Sequence, residues 1–152
     1  MQKKIKVYLD TSVISALFDE KNPERQDLTR KFFDQKHKFE IYVSEVVFAE
    51  IHNTKDINLK DKLKDIATSF NVLSIDEESR RLADEYVKND VIPKDYSEDA
   101  LHIAISTLNE IDYLLSWNFK HIVKVKTRRI VNMVNLSSGY PDLKIITPAE
   151  LI

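Results

Sequence analysis

The chain has 152 residues, 43% of them hydrophobic, with no cysteine and a formal net charge of -2. That length suits one domain, able to bury roughly 70% of the surface its unfolded chain exposes, and the lack of cysteine excludes disulfides and thiolate-held zinc or iron–sulfur centres. The single glycine excludes a P-loop and a GxGxxG fingerprint, while the near-neutral balance argues neither for nor against nucleic acid.

The N-terminus Met1-Gln2-Lys3-Lys4 is basic, but Lys6 and Asp10 interrupt the apolar residues behind it. No signal-peptide core or membrane span is expected, and a reducing cytoplasm is the expected compartment. A first strand over 5–10 ends in Asp10, and the chain turns at once through Thr11 and Ser12 into a helix over 12–18. Helix 24–36 leads to a strand at 40–43, helices 44–53 and 58–69, and a strand at 71–75. Helix 77–89, helix 97–109, strand 112–117, helix 120–136 and strand 144–147 complete the series. Short apolar strands alternating with helices are the sequence form of βαβ units, so a single α/β domain over 1–152 with a mostly parallel sheet of about five strands is expected. In the last helix Ile130, Val131 and Val134 form a partial apolar stripe, leaving Lys126, Arg129 and Asn132 to face water.

Three acids stand where that architecture gives them chemical meaning. Ligands of open α/β sheets bind beyond the carboxyl ends of the strands, which is where Asp10 leaves the first strand. With Ser44 as N-cap, a turn of about 100° per residue puts Glu50 between Val46 and Val47 on the core-facing stripe, where an ionised carboxylate needs a cation or donors. Asp99 lies in the first turn of a helix capped by Ser97, whose apolar stripe of Ala100, Leu101, Ala104, Ile105 and Leu108 draws its N-terminus toward the sheet. Glu98 in the same turn compensates the helix dipole. Clustered carboxylates repel, a hard cation removes the repulsion, and oxygen-only ligands favour Mg²⁺ or Mn²⁺, the ions of phosphodiester chemistry. Acids outnumber bases from Asp76 to Glu110, whereas Trp117 to Ile130 carries Lys120, Lys124, Lys126, Arg128 and Arg129 with no acid, a segment able to seat a phosphate backbone.

Four blocks, Tyr8-Leu9-Asp10-Thr11-Ser12, Ser44-Glu45-Val46-Val47-Phe48-Ala49-Glu50-Ile51, Asp99-Ala100-Leu101-His102-Ile103-Ala104 and Asp112-Tyr113-Leu114-Leu115-Ser116-Trp117-Asn118, resemble in order and spacing those of PIN-domain nucleases. The resemblance implies a three-layer α/β/α fold and a Mg²⁺- or Mn²⁺-dependent ribonuclease, often the toxin of a VapC-type toxin-antitoxin pair. It further implies a homodimer, an antitoxin partner and an RNA substrate. By position, Asp10, Glu50 and Asp99 become metal-binding acids, Ser12 or Thr11 assists beside the first of them, and Asn118 stands where many members carry aspartate. An Asn amide offers a carbonyl oxygen but no charge, so the chain departs from the pattern there.

The remaining polar and aromatic residues are expected to be structural. His102 packs or hydrogen-bonds near the site, since Mg²⁺ prefers oxygen. His52 invites a metal assignment only by its nearness to Glu50, and His37 and His121 have no ligand spacing and are expected to face solvent. Trp117 is expected in the core rather than stacked on a base. Two competing readings remain. A haloacid-dehalogenase-like phosphatase would need a second Asp at the position of Ser12, and a non-catalytic PIN-like binding module is motivated by Asn118.

Overall fold

The computed structural model describes residues 3–90 and 92–152, so Met1 and Gln2 of the basic N-terminus lie outside the described residues. Strands β1 (Ile5–Leu9), β2 (Phe39–Ser44), β3 (Asn71–Leu73), β4 (Tyr113–Leu115) and β5 (Lys144–Ile146) form one parallel sheet in the order β3-β2-β1-β4-β5. Helices α1 (Thr11–Ala16), α2 (Pro23–Asp34), α3 (Glu45–His52), α4 (Ile57–Thr68), α5 (Glu77–Lys88), α6 (Ser97–Leu108) and α7 (Val125–Ser138) flank it. This is the three-layer α/β/α architecture expected from the alternation.

β1 is the central strand, and Val7, Tyr8 and Leu9 are fully buried because helices cover both faces of the sheet. Alternation sorts its side chains. Tyr8 and Leu114 point into the core shared with Leu82, Ile103 and Val131 of α5, α6 and α7, whereas Val7, Leu9 and Leu115 join Val13, Ile14, Phe32 and Leu63 of α1, α2 and α4. Helix α3 straddles the two layers, Val46 belonging to the first core and Val47 and Ile51 to the second. Truncating a side chain such as Leu114 would cost about 2–5 kcal/mol in lost transfer energy and cavity.

The chain fills one half of the sheet, β1, β2 and β3, before crossing to β4 and β5 on the other side of β1. The order therefore reverses between β1 and β4, and the crevice of an open parallel sheet lies at such a point. The register pairs Leu9 with Leu115, which sets Asp10 beside Ser116 at the carboxyl ends.

Three expectations are corrected. Ser97 is the first helical residue of α6 and not its cap, and Tyr96 in the N-cap position contributes no side-chain hydrogen bond. α6 is buried almost all round, with His102, Ile103, Ser106 and Thr107 inside and Leu101 and Leu108 only partly so, because it is enclosed by α5, α7 and the sheet. The last helix starts at Val125 rather than 120. The Asn118 carbonyl accepts the Ile122 and Val123 amides at 3.0 and 2.8 Å, holding residues 119–123 in a turn. That helix ends in the left-handed Gly139, φ 79°, a conformation glycine adopts without strain. Among the described residues no helix is long and apolar enough to cross a membrane.

Candidate active site

Asp10 is the N-cap of α1 and is only 3% exposed. Its Oδ1 accepts from Ser12 Oγ at 2.5 Å and the Val13 amide at 3.3 Å, and its Oδ2 from Ser116 Oγ at 2.5 Å. Ser12 Oγ in turn accepts the Trp117 amide, and Ser116 Oγ that of Asn118, both at 2.9 Å. The two hydroxyls thus stitch the ends of β1 and β4 together around one carboxylate. Burial raises the Asp10 pKa, and the negative Glu50 adds to that, while His102 and the two serines act against it with a net rise.

Glu50 projects from the last turn of α3, which the Ser44 side chain caps through the Val46 amide. Its Oε1 accepts from Thr11 Oγ1 at 2.7 Å and meets His102 Nε2 at 2.6 Å. Burial pushes Glu50 upward, but the His102 hydrogen bond and charge, with the Thr11 hydroxyl, more than offset it and hold the group below its ordinary range.

His102 is 1% exposed, and its other nitrogen, Nδ1, lies 2.6 Å from Tyr8 Oη, which also bonds Ser44 Oγ at 2.7 Å. A polar chain Ser44–Tyr8–His102–Glu50–Thr11 thereby runs through the crevice floor. Burial pulls the imidazole pKa down, yet the Glu50 hydrogen bond and the charges of Glu50, Asp10 and Asp99 raise it overall. When protonated, the ring is an internal counter-ion for the three acids. With both ring nitrogens engaged, His102 is a positioning group and not a metal ligand, in line with its expected hydrogen-bonding role.

Asp99 enters from the first turn of α6, and its Oδ2 accepts from Asn118 Nδ2 at 3.3 Å. Burial, followed by the opposing pull of His102 and the repulsion of Glu50 and Asp10, leaves its pKa pushed up to about 6. Asn118 Oδ1 accepts the His121 amide at 2.9 Å, so the Asn118 amide is shared between the acid cluster and the following turn. Glu98 is exposed and, with Asp99, complements the N-terminus of α6.

Asp10, Glu50, Asp99, Asn118, Ser12 and Thr11 therefore gather at the carboxyl ends of the strands, where the strand order reverses. Sequence reasoning missed Ser116 and Tyr8. The parallel pairing of the first and fourth strands was the available signal for Ser116, whereas nothing local marks a core tyrosine as a histidine's partner. His37 faces solvent as expected and His52 is exposed and apart from this network, but His121 is 7% exposed, its ring tilted against Tyr96 with centroids 4.2 Å apart. The expectation that it faces solvent fails because the Asn118 turn folds it inward. Trp117 is core, its Nε1 donating to Thr29 Oγ1 at 2.9 Å.

The chemistry of the donor set suits a hard cation. Carboxylate oxygens predominate, and burial together with the repulsion of Glu50 and Asp10 raises the Asp99 pKa. Among the described residues, however, no three His, Cys, Asp or Glu side chains are arranged to hold a metal ion between them. The acids are coupled electrostatically without forming a ready-made cage.

No curated protein matches the chain. Solved structures do, at low identity. A sarcin-ricin-loop-cleaving VapC toxin of Mycobacterium tuberculosis is 15% identical, with a TM-score of 0.58 over 76% of this chain and 92% of the toxin chain. A chain of the DNA-bound VapBC complex of Salmonella typhimurium is 14% identical, with a TM-score of 0.61 over 95% of this chain and 98% of that one. FitAcB of Neisseria gonorrhoeae gives 16% and 0.60 over 93% and 97%. These likenesses are of fold. The PIN domain family model matches residues 7–118, the span from β1 to Asn118 that builds the crevice, and the chain belongs to the PIN domain family.

Proposed function

We propose that the protein is a Mg²⁺- or Mn²⁺-dependent ribonuclease, an endonuclease hydrolysing RNA phosphodiester bonds. The observation that carries this reading is the set of three carboxylates, Asp10, Glu50 and Asp99, brought from separate elements to the reversal point of the sheet around the buried His102. Asp10, Glu50 and Asp99 would hold the ion through carboxylate oxygens. When bound, such an ion lowers the pKa of an attacking water and offsets charge developing on the phosphate.

The chain's own groups have separable tasks. Ser12 and Ser116 fix the Asp10 carboxylate by donating to its two oxygens. Thr11 and His102 share Glu50 Oε1, which leaves Oε2 outside both bonds. Asn118 Nδ2 donates to Asp99 Oδ2, which orients that carboxylate toward the other two acids.

The fold neighbours include toxin-antitoxin complexes, which supports a toxin role with a separately encoded antitoxin as partner. Homodimerisation and a cytoplasmic location belong to the same proposal. A second reading, a non-catalytic PIN-like module, is favoured by Asn118 alone, whose amide is occupied by Asp99 and the His121 backbone. Incubation with end-labelled single-stranded RNA and Mn²⁺ separates the two. Internal cleavage that EDTA stops, and that Asp10→Asn abolishes, supports the nuclease; folded wild-type protein that leaves every RNA intact supports the module.

A further inference from the structure

The turn that Asn118 organises ends at an open pocket of about 450 Å³ lined by Lys120, His121, Lys124 and Lys126, with Asp90 as its acid. None of these lysines is ion-paired among the described residues. Lys124 is the N-cap of α7 and provides no side-chain cap, and the first turn holds no acid, so backbone N–H groups at this end of a 14-residue helix have no side-chain acceptor. His121 forms part of the wall. Although only 7% exposed, its Nε2 has no hydrogen-bond partner, an expensive state for a buried polar atom. Thr127 Oγ1 donates to the His121 carbonyl at 2.8 Å, locking the histidine to the start of the helix. Lysines, an uncapped helix N-terminus and an imidazole nitrogen that has no partner and can donate in one tautomer together suit an acceptor with several oxygens and negative charge.

We propose that this pocket seats a backbone phosphate of the bound RNA strand, with the ammonium groups of Lys120 and Lys124 as its contacts and His121 Nε2, enclosed as the ring now stands, reaching it by a turn of the ring. The inference rests on the ribonuclease reading and adds a fixed anchor to it. Asn118 connects the two places physically, holding Asp99 with its Nδ2 and the His121 amide with its Oδ1. An RNA strand gripped here is presented to the acids in a set register. Arg128 and Arg129, further along α7, lie outside the pocket lining.

The test is binding of a fluorescein-labelled single-stranded RNA in EDTA, across a salt series, for wild type, Lys120→Ala/Lys124→Ala, Lys120→Arg/Lys124→Arg, His121→Phe and a control, Lys62→Ala/Lys64→Ala on α4. The double alanine variant should bind about tenfold more weakly, with a salt slope shallower by roughly 0.7 to 1.4 depending on whether the two lysines share a phosphate, and the arginine pair should recover most of the loss. His121→Phe keeps a ring against Tyr96 and removes the unpartnered nitrogen. It should melt higher than wild type without RNA and yet bind RNA about threefold more weakly, a combination that a purely structural histidine would not give. Inorganic phosphate at millimolar concentration should displace RNA from wild type more effectively than from the alanine pair; binding of phosphate but not RNA at His121, followed by NMR of the imidazole, would assign the pocket to a free anion and overturn the proposal. Unchanged RNA affinity and salt slope in both variants also overturn it. If wild type cuts no RNA but these binding effects hold, the nuclease reading fails and the anchor stands.

Discussion

Asp99 gives the sharpest quantitative handle on the acid cluster, because its pKa is pushed up from 3.8 to about 6. A carboxyl whose pKa rises on folding favours the native state below the unfolded value, and that advantage is lost as pH climbs through the folded one. A two-unit rise corresponds to about 3 kcal/mol in full. Between pH 5 and 7.5 the folded group finishes ionising while the unfolded one is already charged, which accounts for about 1.4 kcal/mol, or about 1 kcal/mol once solvent screening of the half-buried group is allowed for. His102, raised above 6.5, adds a loss of the same sign, and the raised Asp10 acts in the same direction above 3.8, whereas Glu50, held low, contributes its stability above 4.5 and is constant over this window. Urea denaturation in EDTA at pH 5 and 7.5 should therefore show metal-free protein losing at least about 1 kcal/mol over the interval, and Asp99→Asn should remove the Asp99 share of that slope. Saturating Mn²⁺ should restore about 2.7 kcal/mol at one hundred times its Kd. A metal-free stability that rises from pH 5 to 7.5, or an Asp99→Asn profile that overlays wild type, would refute the electrostatic coupling of the cluster.

Other expectations follow from single contacts. Asp10→Asn preserves the cap of α1, since Asn caps helices as well as Asp, so RNA cleavage should vanish while circular dichroism stays native. His102→Ala takes one partner each from Glu50 and Tyr8, which keep only Thr11 and Ser44, and opens a cavity, so it should cost about 3–5 kcal/mol in denaturation, against about 1 kcal/mol for Tyr8→Phe, which removes one hydroxyl. Asn118→Asp keeps the acceptor for the His121 amide but replaces the donor to Asp99 with a like charge; the metal-free variant should melt below wild type, with the deficit narrowed by Mn²⁺ and cleavage appearing at lower Mn²⁺ concentration. A metal requirement equal to or above that of wild type would show that Asn118 serves only the turn.

The sheet and its helices were legible because most strands and helices of this chain carry clear periodicities, and the convergence of the acids at 10, 50 and 99 followed from their places: a carboxylate ending a buried strand, one on an apolar helix stripe, one in the first turn of a helix that must reach the sheet. What stayed hidden depended on pairing across the fold. Ser116 acquires its role only when Leu115 aligns with Leu9, and Tyr8 only when α6 sets His102 over β1. The late start of α7 and the burial of His121 share one cause, the Asn118 carbonyl and amide closing a turn over residues whose composition also fits a helix. No helical periodicity of residues 120–136 reveals a competitor that sits two residues before them.

The measurement that bears most directly on the site is anomalous diffraction at the manganese edge from crystals grown with Mn²⁺ at neutral pH. A peak within coordination distance of carboxylate oxygens of Asp10, Glu50 and Asp99, with His102 still bridging Tyr8 and Glu50, is the expected result. Ordered crevice side chains with no peak among them, or a peak ligated elsewhere on the molecule, would contradict the assignment of these acids to one divalent-cation site.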